Sequence, residues 1–187
     1  MAEKSKNSVW SAGLVYGAIL GAVSVIISVI FYILGKTMSD AEKYVSMGVM
    51  VVLLVYFLYL YRQERLGGYI KYGSLIGAGA VISAVAGLIS AAYFIVFIKY
   101  IDPSMQNLID EKSLQKMLEQ LAKREIYPSQ TEIDDMLEKT KMFRSAGFMA
   151  IGSVINITLI GTLISLIVGI FLKKESKDPF ASVEEKQ

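Results

Sequence analysis

Four stretches of this chain carry no charged residue at all, and they dictate most of what it can become. They run over 8–35, 44–61, 72–98 and 145–172. A helix rises about 1.5 Å per residue, so about 20 apolar residues cross a hydrocarbon layer of about 30 Å. Three of the stretches exceed that length, which implies tilt or helix that continues beyond the lipid. The second is short but dense in Val49, Val51, Val52, Leu53, Leu54, Val55, Phe57, Leu58 and Leu60. Such residues near mid-bilayer supply roughly −3 to −5 kcal/mol together towards insertion. Charges are nearly balanced overall, 19 basic against 17 acidic, so the segregation and not the net charge carries the message. A soluble core would not sort its charges in this way.

Aromatic side chains lie where headgroups should be. Trp10 and Tyr32 flank the first stretch, Tyr44 and Tyr61 the second, Tyr72, Tyr93 and Tyr100 the third, and Phe148 opens the fourth. Amphipathic rings favour that interfacial layer. Lys4 and Lys6 before the first stretch resemble the start of a secretion signal, but the apolar run is far longer than the 7–15 residues of such a signal. An uncleaved anchor helix is expected.

With four spans both termini share one side with the linker 62–71. That side holds Lys4, Lys6, Arg62, Arg65, Lys71, Lys173, Lys174, Lys177 and Lys186 on short segments. The opposite side has comparable basic charge, spread over longer segments that also hold most of the acids. Dense basic charge on short loops places both termini in the cytoplasm. Arg62, Arg65 and Lys71 are candidate contacts for anionic headgroups, at about 1 kcal/mol each, or plain topology anchors. Gly67 and Gly68 permit a sharp turn into the third span.

The one sizeable polar segment is 99–144. Asp102-Pro103 reads as a helix cap followed by proline at the first helical position. Met105, Leu108, Ile109, Leu114, Met117, Leu118 and Leu121 then recur at helical spacing. Tyr127-Pro128 breaks the run. Ser129 with Glu132 forms a capping box, and Ile133, Met136, Leu137 and Phe143 continue an apolar face. The expectation is a helical hairpin over 100–144, on the side away from the termini, whose apolar stripes pack on each other, on the bilayer or on another subunit. The polar residues 175–187 are expected to be disordered.

Small residues recur at four-residue spacing. Gly13, Gly17, Gly21, Ser24 and Ser28 form one stripe on the first helix; Gly79, Ser83, Gly87 and Ala91 another on the third; Gly161, Ser165 and Gly169 a shorter one on the fourth. In lipid, burying apolar surface does not drive helices together, so close backbone approach at small residues matters. The first and third helices should cross tightly, with the fourth a further partner; an oligomer interface is the alternative use. Asn156, the only amide inside a predicted span, should hydrogen-bond across helices, since an unpartnered polar group in hydrocarbon costs several kcal/mol.

There is no cysteine and no histidine. Disulfides, thiolate chemistry and cysteine-based metal sites are excluded, as is the commonest general base. No acidic or basic residue lies inside a span, which argues against a proton- or sodium-coupled carrier. Gly35-Lys36-Thr37 resembles the end of a phosphate-binding loop, but Ile30 stands where its first glycine belongs. No enzyme activity, cofactor, metal or nucleic-acid partner is expected.

The double-glycine linker Arg62–Gly68, the exit Tyr100-Ile101-Asp102-Pro103, the Met- and Leu-rich charged hairpin and the closing run Ile164–Lys174 resemble the bacterial membrane family catalogued as domain of unknown function 4199. The resemblance spans about 13–174. It implies a four-span protein of the bacterial inner membrane, typical of Bacteroidota, and carries no activity or assigned functional residue. The fold class expected is therefore all-α: a membrane bundle of four spans, about 9–34, 44–61, 73–98 and 146–172, with an extramembrane helical hairpin between the third and fourth. Its partners would be the lipid bilayer and either a second copy or another membrane protein. The leading expectation is a structural or accessory subunit; the rival is a protein that binds or moves a lipid or small amphiphile.

Overall fold

The computed structural model describes residues 9–65 and 70–173, the side chain of Arg65 excepted. Six α-helices are present among them: α1 (Val9–Ile33), α2 (Asp40–Leu60), α3 (Tyr72–Val96), α4 (Met105–Ala122), α5 (Gln130–Thr140) and α6 (Ala146–Leu172). Helices α1, α2, α3 and α6 are long and apolar enough to cross a membrane. Helices α4 and α5 lie between the third and fourth of these and are the polar hairpin. The chain is thus an all-helical protein with four candidate spans, as its charge pattern requires. The double glycine, Lys4, Lys6, Lys174 and the tail 175–187 fall outside the described residues.

The helix ends follow local chemistry. At the end of α1, Gly35 adopts a positive φ of 64°. There Lys36 N–H donates to Phe31 O at 2.9 Å and Gly35 N–H to Tyr32 O at 2.9 Å. This paired closure satisfies carbonyls that a helix end leaves orphaned, and glycine enters that backbone region without the Cβ clash. Helix α2 starts at Asp40, a turn earlier than the span expected from 44. Ser39 caps it, accepting from Glu42 N–H at 3.2 Å, while the Glu42 carboxylate accepts from Met38 N–H at 2.6 Å. The charged first turn, Asp40 to Lys43, is helix that extends past the apolar stretch.

Two spans finish in a wider turn. Tyr61–Arg65 continues α2 and Phe97–Ile101 continues α3 as π-helix, and Asp102 N–H donates to Phe97 O at 2.9 Å to close the second. Asp102 caps the start that follows, with two residues between it and the regular helix. Its carboxylate accepts from the backbone N–H and the hydroxyl of Ser104 in a turn across Pro103, and regular helix begins at Met105. A two-residue displacement is what such a turn, spliced onto a helix start, produces.

The chain divides into two compact units, Met1–Ser90 with Val154–Gln187, and Ala91–Ser153. In the first, Ala12, Tyr16, Leu20, Leu54, Phe57, Leu58, Leu75, Ala78, Ile82 and Ala86 form the core. Tyr16 and Phe57 stack with ring centroids 5.1 Å apart and planes 12° apart, joining α1 to α2. In the second unit Met105 and Ile109 are buried, but α5 buries no residue fully. Ile133, Met136 and Leu137 remain half-buried on its apolar face.

The hairpin turn carries a visible cost. Helix α4 ends with Ile126 N–H donating to Leu121 O and Glu125 N–H to Ala122 O, each at 3.0 Å. This is the same closure as at Gly35, but here Glu125 holds the positive φ, 60°. A side chain there costs about 1 kcal/mol or more relative to glycine. Glu125→Gly should therefore raise the stability of the hairpin by about 1 kcal/mol, read as slower amide exchange over α4 and α5.

Helix α5 begins at Ser129, whose backbone N–H and hydroxyl both donate to the Glu132 carboxylate, at 2.8 and 2.9 Å. The backbone donor, then the hydroxyl, lowers the Glu132 pKa from its ordinary value. A carboxyl whose pKa is lowered by folding contributes stability above its unfolded value and loses it as pH falls through the folded one. Acidification through the carboxylate range should therefore fray the start of α5, seen as faster amide exchange at residues 130–133. Glu132→Gln should remove that dependence; an unchanged pH profile in this variant would contradict the assignment.

Candidate functional site

No arrangement of reacting groups presents itself. Among the described residues no group of three or more Asp or Glu is placed to hold a metal ion. The residues singled out in the sequence fall instead at two helix crossings, at one end of the first unit, and on one outward face.

The first crossing joins α1 to α3. A Cβ built on Gly13 would overlap the Val81 side chain. One on Gly17 would lie 2.7 Å from Ile82 O and 2.7 Å from Val85 Cβ, and one on Gly21 2.9 Å from Ile89 Cβ. All three approaches are closer than carbon atoms tolerate. The backbone of α1 therefore lies directly on side chains and backbone of α3 over two turns. Ser24, next on the stripe, spends its hydroxyl on Leu20 O of its own helix at 2.9 Å.

The second crossing joins α3 to α6 and is reciprocal. Gly79 faces Ser165, and Gly161 faces Ser83, each too close for any added carbon. Two turns along, a Cβ on Gly87 would sit 3.2 Å from Val154 Cα. Ser83 and Ser165 are completely buried. Ser165 Oγ donates to Gly161 O of its own helix at 2.7 Å, whereas Ser83 Oγ has no hydrogen-bond partner. Leu54 of α2 reaches the same point, 3.6 Å from a Cβ on Gly161. Gly169 serves another contact. A Cβ there would lie 2.9 Å from Tyr72 Cε2, and the Tyr72 hydroxyl donates to Leu166 O at 2.9 Å. The glycine lets the ring lie flat enough on α6 to reach a main-chain carbonyl. By contrast Gly48, Gly73, Gly77, Gly147 and Gly152 each face open space.

Of the three candidate headgroup contacts, Arg62 is engaged within the chain. Its Nη1 donates to Leu172 O at 3.0 Å, and its guanidinium lies 5.8 Å from the Tyr59 ring centroid. Leu172 ends α6, so the cation satisfies an orphan carbonyl at the negative end of the helix dipole. Nearby on the same π-turn, Glu64 accepts from the Tyr16 hydroxyl at 3.3 Å. Lys71 is exposed, and the Arg65 side chain lies outside the described residues. Nothing in the sequence itself brings the end of α6 beside Arg62 at the end of α2.

Asn156 lies away from both crossings. It is exposed on α6, and it has no hydrogen-bond partner among the described residues. No cross-helix bond to Asn156 is made among the described residues, because α6 turns Gly161, Ser165 and Gly169 inward and Asn156 away from them.

In the second unit a cavity of about 210 Å³ is lined by Gln106, Asp110, Lys141, Arg144 and Ser145. One of its two cations is committed: Arg144 pairs with Asp110 at 3.0 Å and donates to Leu137 O at 2.7 Å. Gln106 Nε2 donates to Arg144 O at 3.0 Å. These bonds tie the foot of the hairpin together, and the volume is below the roughly 300 Å³ at which small-molecule sites begin.

The two kinds of glycine make opposite predictions. Gly17→Leu should lower thermal stability by about 1–3 kcal/mol through overpacking, while Gly77→Ala on α3 should be neutral or slightly stabilising. Thermal unfolding of both variants in the same detergent tests this; equal losses would contradict the crossing geometry.

No curated protein and no solved structure matches this sequence. The model of one family, described as "Protein of unknown function (DUF4199)", matches residues 15–174, which contain all four spans apart from the start of α1 and both hairpin helices. With that extent of match and four candidate spans in the predicted order, the chain is a multi-span membrane protein that belongs to the DUF4199 family.

Proposed function

We propose that this protein is a non-enzymatic structural or accessory subunit of the bacterial inner membrane, with both termini cytoplasmic, that self-associates or binds another membrane protein. The observation that carries the proposal is the incomplete burial of the hairpin. Helix α5 presents Ile133, Met136 and Leu137 on one face yet buries none of them fully. Ile126 and Tyr127 at its tip are 48% and 79% exposed. Apolar side chains left incompletely covered on an otherwise charged segment outside the spans support a surface that another protein completes.

Cytoplasmic termini place the hairpin on the extracytoplasmic side, where it would meet partner ectodomains or its own copy. The rival reading, a lipid or amphiphile binder, keeps the exposed Lys71 as a headgroup contact, with Arg65 six residues earlier in the sequence. It loses Arg62, which is taken up by Leu172 O and Tyr59.

Native mass spectrometry of protein released gently from membranes, paired with crosslinking from Tyr127 in cells, tests the proposal. A defined oligomer, or a membrane protein crosslinked at Tyr127 in fixed proportion, is the expected result. A monomer in detergent and in lipid discs, with no crosslinked partner, would overturn it. If that monomer carried one specific lipid, the binder reading would replace it.

A further inference from the structure

The outward face of α6 holds a polar group that no other described residue satisfies. Helix α6 runs over 27 residues, about 40 Å, and Asn156 lies roughly 15 Å from its start, well inside a hydrocarbon layer of about 30 Å. The neighbouring hydroxyls are all closed on their own helix: Ser153 on Ala150 O at 2.8 Å, Thr158 on Val154 O and Thr162 on Thr158 O, each at 2.7 Å. Asn156 has no such closure and projects from the exposed side. An amide in hydrocarbon without partners costs several kcal/mol.

What surrounds it has a regular spacing. Leu159, Leu163, Leu166 and Ile170 follow Asn156 at three, seven, ten and fourteen residues, alternating steps of three and four. Leu159, Leu163 and Ile170 are each more than half exposed, and Leu166 partly so. This is the spacing of the seam of a left-handed helix pair, with Asn156 at the kind of position where one buried asparagine sets register and favours two strands.

We infer that α6 pairs with α6 of a second copy of this chain along Asn156, Leu159, Leu163, Leu166 and Ile170, with the two Asn156 carboxamides hydrogen-bonded to each other. The choice of a second copy follows from geometry. Copies inserted in one membrane share one orientation, so a twofold axis along the membrane normal brings Asn156 opposite Asn156 at the same depth. A carboxamide carries both donor and acceptor and is complementary to itself. An unrelated partner would need a polar group at that depth by separate design. The inference rests on the subunit reading above and narrows it to one partner and one face.

The absence of native cysteine makes the test direct. In full-length protein in native membranes, Leu159→Cys and Leu163→Cys should form oxidative dimers, and Val52→Cys on the exposed face of α2 should not. In lipid discs, Asn156→Leu should weaken dimerisation about 3- to 30-fold without lowering thermal stability, and Asn156→Gln should retain most of the affinity. Crosslinks at Val52 but not at Leu159 or Leu163, or unchanged affinity in Asn156→Leu, would overturn the α6 pairing. Crosslinking confined to Tyr127→Cys would sink this pairing while leaving the subunit reading intact. No association at any position would end both. Should Asn156→Leu fold poorly, the position of the cysteine crosslinks in otherwise native sequence still decides.

Discussion

Close approach of backbones at α3 is the interaction on which the first unit depends. Among lipid tails, packing Leu against Leu gains little over packing Leu against acyl chain, so bulky faces have no strong reason to prefer one another. A glycine removes the Cβ and lets whole turns of backbone come within van der Waals contact, where many weak attractions add. Helix α3 uses this twice. It offers Val81, Ile82, Val85 and Ile89 as the bulky side against the glycines of α1. It then offers Gly79, Ser83 and Gly87 to α6, where small residues face small residues. Helix α2 is held differently, by the Tyr16–Phe57 stack and by Leu54 at the Gly161 contact.

Two polar side chains at the ends of the spans are bonded inside the chain rather than left to water or lipid. Arg62 on the π-turn after α2 closes the last carbonyl of α6, and Tyr72 at the start of α3 bonds Leu166 O one turn and a half earlier on the same helix. Both bonds connect segments about a hundred residues apart in sequence. Together they fix the axial register of α6 against α2 and α3, which glycine contacts alone, being smooth, do not. A π-turn widens the helix by one residue per turn, and at Tyr61–Arg65 it accompanies the approach of Arg62 to its target and of Glu64 to Tyr16.

Much of this was legible in the residues. Charge-free length defined the spans, and α6 begins and ends as expected, because nothing at Ser145 or Lys173 competes with the change from polar to apolar. Ser39 and Glu42 carried a legible start signal for α2 that the apolar run obscured: hydropathy marks where lipid begins, whereas helix begins at its cap. The four-residue spacing of Gly13, Gly17 and Gly21 was visible, but which residues of α3 they meet depends on the crossing angle. The π-turns had no sequence signal, since a widened turn costs little and is chosen by the contacts it permits. The intrachain surroundings of Arg62 and Asn156 were not legible for one reason. Their surroundings are set by helix rotation, and a chain without internal charges gives few clues to rotation.

Rotation also explains why α6 carries two such different faces. Gly161, Ser165 and Gly169 recur every four residues and turn inward, while Asn156, Leu159, Leu163 and Ile170 keep to an outward side. A helix needs only one small-residue face to join a bundle. Serine and threonine can be placed in hydrocarbon cheaply, because their hydroxyls reach back to a carbonyl three or four residues earlier, as Ser153, Ser165, Thr158 and Thr162 all do. Asparagine has two donors and an acceptor on a short stem and cannot be quieted in that way. A leucine at 156 would suit a face that met only acyl chains. The presence of an amide there, in a chain that keeps every charge out of its spans, is the clearest sign that this face of α6 meets protein.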